Sequence, residues 1–220
     1  MKPSILLLLP SAILVFLLIR AELRGKRRQV YILKPLATLI VIAVSAASFW
    51  APSRNLIYSV GVLIGLLFSL GGDVALMFQE HRRWFMTGLV SFLIGHIAYT
   101  AAFGLLGKSS NLDYVVAAAL LLAAIGIYAL LRPGLGKMKA PVIAYMLVIS
   151  IMVSRAATAA ASPVFRPRQA LMIIAGALLF YFSDVILAAN RFWKPFKYHR
   201  LSLALYYAGQ FLIAAAASEF

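Results

Sequence analysis

Residues 55–78 read NLIYSVGVLIGLLFSLGGDVALMF, a run in which Asp73 is the one charged side chain. Roughly 20 mostly apolar residues make a helix long enough to cross the hydrocarbon core of a bilayer, so this stretch predicts a membrane span that carries a carboxyl group within it. Working outward, with Pro, Gly and charge clusters as punctuation, the chain divides into spans at 4–20, 30–49, 55–78, 84–106, 112–131, 140–160, 168–189 and 200–218. Composition agrees: the 220 residues are 64% hydrophobic and 12% charged, with a mean hydropathy of +0.95. The expected fold class is all-α, an integral membrane bundle of eight transmembrane helices forming a single domain over 1–220, with no room for an extramembrane module.

The net charge of +15 invites a nucleic-acid reading. However, the basic residues fall mainly in short gaps between apolar runs, where they meet lipid headgroups and set topology. No nucleic-acid partner is therefore expected; membrane lipids are. The gaps after spans one, three, five and seven are the basic ones, as in Arg20, Arg24, Lys26, Arg27 and Arg28 after the first. This asymmetry predicts that those gaps are cytoplasmic and both termini lie outside, as in a multi-pass protein of a bacterial inner membrane. The first run, preceded by a single Lys2 and followed by that cluster, reverses the charge order of a signal peptide and reads as a retained span. Trp50 and Trp84 fall at span ends, where indole rings favour the interface. With no cysteine, disulfides and thiolate metal sites are excluded.

A shift of 111 residues places Gly65–Val74 over Gly176–Val185, so that Asp73 coincides with Asp184. The same shift pairs Lys34 with Tyr145, Ser91 with Ser202, His96 with Tyr207 and Tyr99 with Gln210. It suggests two four-span repeats, 1–110 and 111–220, in parallel orientation.

An ionised carboxylate inside a bilayer costs several kcal/mol, so an intramembrane aspartate is a functional candidate by default. Glu22, Glu80, Asp113 and Glu219 fall at span ends or in gaps, whereas Asp73 and Asp184 lie within spans. Each precedes a basic gap by about six residues, which is about 9 Å of helix, and this puts both in the cytoplasmic half. Gly71 and Gly72 before Asp73, and Ser183 before Asp184, allow a helix or substrate to approach closely. Lys34 begins span two and either snorkels to the headgroups or turns inward to an aspartate. His96 is too deep to reach bulk water, and Tyr99 follows on the same helical face. Tyr145, Tyr206, Tyr207 and Gln210 add polar groups. Arg155 is expected to pair or to snorkel outward, and His81 and His199 to be solvated.

The segments Gly71-Gly72-Asp73-Val74-Ala75-Leu76-Met77 and Gly95-His96-Ile97-Ala98-Tyr99, with the late run from Phe182 to Phe192, resemble the YhhN-type lysoplasmalogenase family. The likeness extends from Tyr31-Ile32-Leu33-Lys34-Pro35-Leu36, through Pro141-Val142-Ile143-Ala144-Tyr145, to Tyr206-Tyr207-Ala208-Gly209-Gln210. The resemblance implies an eight-span lipid hydrolase acting on a lysophospholipid, cleaving the vinyl ether of lysoplasmalogens to a fatty aldehyde and a glycerophospho-base. Carried residue by residue, it implies catalysis by Asp73 and Asp184. It implies substrate binding by Lys34, His96, Tyr99, Tyr145, Asn190, Tyr207 and Gln210, with no cofactor and no metal.

Such chemistry suits two carboxyls. Vinyl ethers hydrolyse by rate-limiting protonation at carbon, giving an oxocarbenium ion that water captures, so the site needs one acid and one nearby anion. Two carboxyls in a dry pocket do not both ionise easily, which divides those roles between them. The working assignment makes Asp184 the acid and Asp73 the anion, dividing the work as paired carboxylates do in glycoside hydrolysis, and the sequence leaves open which aspartate takes which role. Three other readings stand beside this one. A transporter or flippase of an amphiphilic solute would use the same midplane groups. In a structural protein the aspartates would only hold helices together. In a metal hydrolase Asp73, Asp184 and His96 would bind a divalent ion.

Overall fold

The computed structural model describes residues 3–51, 54–196 and 200–219; Lys2 and His199 lie outside them. Eight α-helices follow in chain order: α1 (Pro3–Leu23), α2 (Arg27–Ala47), α3 (Leu56–Leu76), α4 (Arg82–Leu106), α5 (Asn111–Leu131), α6 (Lys139–Ala157), α7 (Pro167–Phe192) and α8 (Leu201–Ala216). Each expected span has its helix, and the ends follow local chemistry. Asn55 opens α3 by accepting the Tyr58 N–H at 3.1 Å. Ser110 and Asp113 form a reciprocal box at the start of α5. At α7 a first-turn proline is joined by Gln169, whose side chain accepts the Arg166 N–H at 2.9 Å. These groups satisfy donors that a helix start leaves unpaired.

Seven of the helices are long and apolar enough to cross a membrane, whereas α8 has 16 residues. It nonetheless runs antiparallel to α1 from end to end. The Ser218 hydroxyl reaches that of Ser4 at 3.4 Å at one end, and Arg200 Nε stands 3.9 Å from Glu22 Oε2 at the other. The last helix, with its flanking residues, therefore covers the same depth as the first.

Burial is inverted relative to a soluble protein. Leu9, Phe16, Leu105 and Leu122 are exposed on the outside, while Thr38, Ser69, Asp73, His96 and Gln210 are buried. Trp50 and Trp84, at helix ends, are also exposed. His81 is exposed, as expected, and so is Arg155.

The most extensive helix pairs are α3 with α4 and α7 with α8. Both are set by glycines that bring backbones together. A Cβ added to Gly95 would lie 2.9 Å from the Gly65 carbonyl oxygen, and one added to Gly209 would lie 2.6 Å from that of Gly176. The two halves of the chain join where α4 packs on α6 and α2 packs on α8. That cross-packing positions the site, because it sets α4 beside the helices of the second half and α8 beside those of the first.

Candidate active site

Asp73 sits on the buried face of α3 with its side chain only 2% exposed. Lys34 of α2 turns inward rather than snorkelling, and its Nζ lies 3.4 Å from Asp73 Oδ1. Thr38, one turn further along α2 and so on the same face, donates its hydroxyl to Asp73 Oδ2 at 2.6 Å. Tyr206 of α8 donates to that oxygen at 2.6 Å as well. Its neighbour Tyr207 points about 100° round the helix and donates instead to the Lys34 carbonyl at 3.0 Å. One carboxylate thus collects an ammonium and two hydroxyls, the donor set that suits an anion away from water.

Asp184 is served by fewer and softer groups. Tyr145 of α6 donates its hydroxyl to Asp184 Oδ2 at 2.5 Å. His96 Nε2, from α4, lies 3.5 Å from the same oxygen and 3.4 Å from the tyrosine hydroxyl. The imidazole is wholly buried and is held edge-on to the Phe180 ring at 4.6 Å between centroids. The Asp184 side chain is 16% exposed, and that exposure is to a cavity.

Both aspartates line one chamber of about 430 Å³. Lys34, Tyr206, Ser183, Ser202 and Asn190 contribute to its wall, and Glu22, Glu80, Arg191 and Arg200 lie toward its loop end. A second, narrow and largely apolar slot runs between α4, α6 and α7, lined by Phe85, Leu89, Phe92, Val142, Ile149 and Val185. Asp184, Arg191, Leu76, Phe92 and Leu187 line both spaces, whereas Asp73 lines the chamber alone. A polar space and an apolar one therefore meet at Asp184, the geometry needed for an amphiphile whose reactive bond lies between head and chain.

Of the residues named from the sequence, Lys34, Asp73, Asp184 and Asn190 line the chamber, and Tyr145 lines the slot. Asn190 also accepts the Phe196 N–H at 3.2 Å, tying down the segment after α7. His96 and Tyr207 stand one layer back, each touching a residue of the lining. Tyr99 and Gln210 are buried outside both spaces; the Tyr99 ring stacks on Phe103 and packs against Gly65. Asp73, His96 and Asp184 do not gather into a metal-binding set, and no three His, Asp or Glu side chains do so among the described residues. Thr38 went unnamed in the sequence, although its spacing of four from Lys34 marks it. Arg191 was not singled out there either, although it falls in the late run from Phe182 to Phe192.

The family model described as the YhhN family matches residues 29–217, a stretch that includes every residue of both aspartate clusters. The chain belongs to this family. Among curated proteins it is similar to "Lysoplasmalogenase TMEM86A" of Bos taurus, with 35% identity over 164 residues, covering 72% of this chain and 65% of that protein. The Homo sapiens protein of the same name is 35% identical over 162 residues, with 72% and 65% covered. "Lysoplasmalogenase TMEM86B" of Sus scrofa is 32% identical over 164 residues, with 74% and 65% covered. The matched part thus spans slightly less than two thirds of these relatives' length. No solved structure matches this family member.

Proposed function

We propose that the chain is a lysoplasmalogen hydrolase, cleaving the vinyl ether of a single-chain phospholipid to a fatty aldehyde and a glycerophospho-base. The observation that carries this reading is the chamber lined by both intramembrane carboxyls, joined at Asp184 to an apolar slot. The names of the similar proteins, lysoplasmalogenases, support it.

In the proposed reaction the alkenyl chain lies in the slot and the glycerol in the chamber. Asp184, in its acid form, gives its proton to the vinyl carbon beta to the ether oxygen, and the adjoining carbon and oxygen become an oxocarbenium ion. Tyr145 and His96 hold the carboxyl in place. Asp73, kept anionic by Lys34, Thr38 and Tyr206, stabilises the cation and accepts a proton from the attacking water. The hemiacetal then collapses: its hydroxyl proton returns to Asp184, Asp73 protonates the departing glycerol oxygen, and both carboxyls regain their starting states. A dry site strengthens each of these charge interactions.

The loop end of the chamber is walled by Glu22, Glu80, Arg191 and Arg200, which flank the basic gaps after spans one, three and seven. The charge rule makes that face cytoplasmic, in a bacterial inner membrane with both termini outside. Duplication of a four-helix unit is supported by one pair of contacts: Lys34 meets Asp73 as its counterpart Tyr145 meets Asp184.

Mass spectrometry of lipids incubated with the pure protein is the direct test. Aldehyde should appear from lysoplasmalogen and none from an ester-linked lysolipid of the same head and length. Solute uptake driven by a pH gradient, without aldehyde, would replace the hydrolase with a transporter.

A further inference from the structure

Among the described residues, three cations line the chamber: Lys34, Arg191 and Arg200. Lys34 faces Asp73 and Arg200 faces Glu22. Arg191, among the described residues, faces no carboxylate. Its guanidinium lies 3.9 Å over the Phe85 ring and donates one N–H to the Gln79 carbonyl at 3.2 Å. A guanidinium has five N–H donors in a rigid fork. The stack and the single bond therefore orient the group and leave donors for an anion. A loop arginine that only set topology would not be clamped between an aromatic ring and a backbone carbonyl at the meeting of two cavities.

Position along α7 adds a second, independent argument. Arg191 follows Asp184 by seven residues, two helical turns, so the two side chains share a face about 10 Å apart along the axis. Both line the chamber and the slot. In a lysoplasmalogen, seven bonds separate the carbon that takes the proton from the phosphorus. At the span per bond of an extended chain this is about 8 to 9 Å. The helix thus presents a proton donor and an uncompensated cation at the spacing of the two substrate groups that need them.

We propose that Arg191 binds the phosphate of the lysophospholipid and so sets the depth at which the vinyl ether meets Asp184. This inference rests on the hydrolase reading for its substrate. Arg191 acts as a ruler: with the phosphate held, the reactive carbon reaches Asp184 and the remaining chain enters the slot. The ligand class is a phosphate monoanion on a glycerol backbone carrying one apolar chain.

Two arms of one experiment test it. The first measures binding, without turnover, of a saturated 1-O-alkyl lysophosphocholine and of the matching phosphate-free 1-O-alkylglycerol. The purified protein should prefer the phosphate-bearing lipid by roughly tenfold to a hundredfold, the range of a charge-assisted hydrogen-bonded contact. Arg191→Gln should bring that ratio within about threefold, and Arg191→Lys should fall between, keeping the charge without the fork. An unchanged ratio in Arg191→Gln overturns the proposal, as does equal weakening of both ligands.

The second arm needs no variant. Vinyl ether lipids are made with the spacer between ether oxygen and phosphate shortened by one methylene or lengthened by two. Specific turnover should peak at the natural spacer and drop about tenfold or more at the longer one, since misplacing reacting atoms by an ångström or two carries such a cost. A flat response overturns the ruler. Aldehyde from none of these lipids would remove the hydrolase reading, and the binding ratio would still decide whether Arg191 holds phosphate.

Discussion

The two aspartates occupy corresponding places in the two halves of the chain, yet their surroundings differ in kind. Asp73 is sealed, 2% exposed, and meets an ammonium and two hydroxyls; Asp184 is 16% exposed and meets a phenol and an imidazole. Each is completed by a helix of the opposite half: α8 brings Tyr206 to Asp73, and α4 brings His96 to Asp184. Two carboxyls that the 111-residue shift superposes are thus held in different surroundings. On the proposed mechanism that contrast divides the work: the lysine beside Asp73 favours an anion, and the phenol beside Asp184 leaves room for an acid.

The sharpest way to break that division is to remove each carboxyl in turn. Asp184→Asn, which cannot supply the proton, should cost at least about a thousandfold in aldehyde release, within the usual range for a general acid. Asp73→Asn should cost about a hundredfold, and the double variant little more than the worse single one, because groups acting in one reaction are not additive. Equal and small losses, measured as kcat/KM on folded protein, would show that the two sites are interchangeable or idle.

Stability separates the sites next. Lys34 and Asp73 form a buried pair, and removing one partner of such a pair leaves an uncompensated charge worth about 3–5 kcal/mol. Lys34→Met should therefore lower the thermal midpoint in detergent more than any single change at Asp184, Tyr145 or His96. Lys34→Met combined with Asp73→Asn should recover most of the loss. Failure of the double variant to recover would mean that Lys34 stabilises the bundle by some contact other than Asp73.

Tyr145→Phe gives a smaller effect that sharpens the comparison from the other side. It removes one hydrogen bond that orients Asp184, and a loss of about tenfold in kcat with little change in stability is expected. Tyr206→Phe, the corresponding loss at Asp73, should act on kcat less, since Lys34 and Thr38 still hold the carboxylate. Reversal of that order would exchange the assigned roles of acid and anion.

Much of this was legible in the chain itself, for identifiable physical reasons. Bilayer thickness imposes long apolar runs with charged punctuation, so all eight helices could be placed to within a few residues. Intramembrane charge is costly, which singled out Asp73 and Asp184 at once. The 111-residue shift paired Lys34 with Tyr145 and His96 with Tyr207; Lys34, Tyr145 and His96 do meet an aspartate, whereas Tyr207 stops at the Lys34 carbonyl. What stayed hidden depends on helix rotation, which spans do not encode. Tyr99 and Gln210 lie on helices that reach the site but are buried outside both spaces. Thr38 looks like any small polar residue in an apolar helix until α3 is packed against α2. The direction of Lys34, inward or toward the headgroups, was also a tertiary matter.

Tyr206 and Tyr207 supply the finest test, because they are adjacent, both phenolic and both buried. The shift makes Tyr207 the counterpart of His96, but its hydroxyl bonds to the Lys34 carbonyl and lies 3.4 Å from Thr38 Oγ1, while Tyr206 takes the carboxylate. Tyr207→Phe should therefore cost about 1 kcal/mol of stability, the net worth of one neutral hydrogen bond. It should leave kcat within about threefold, since Tyr207 reaches the chamber lining only through the Lys34 carbonyl, Thr38 and the Tyr206 ring and touches neither carboxyl directly. A much larger loss of kcat, with the thermal midpoint unmoved, would mean that positioning α2 is itself rate-determining. In that case the Asp73 centre would depend on its second layer as closely as Asp184 depends on His96, and the contrast between the two carboxyls would narrow to the charge of Lys34 alone.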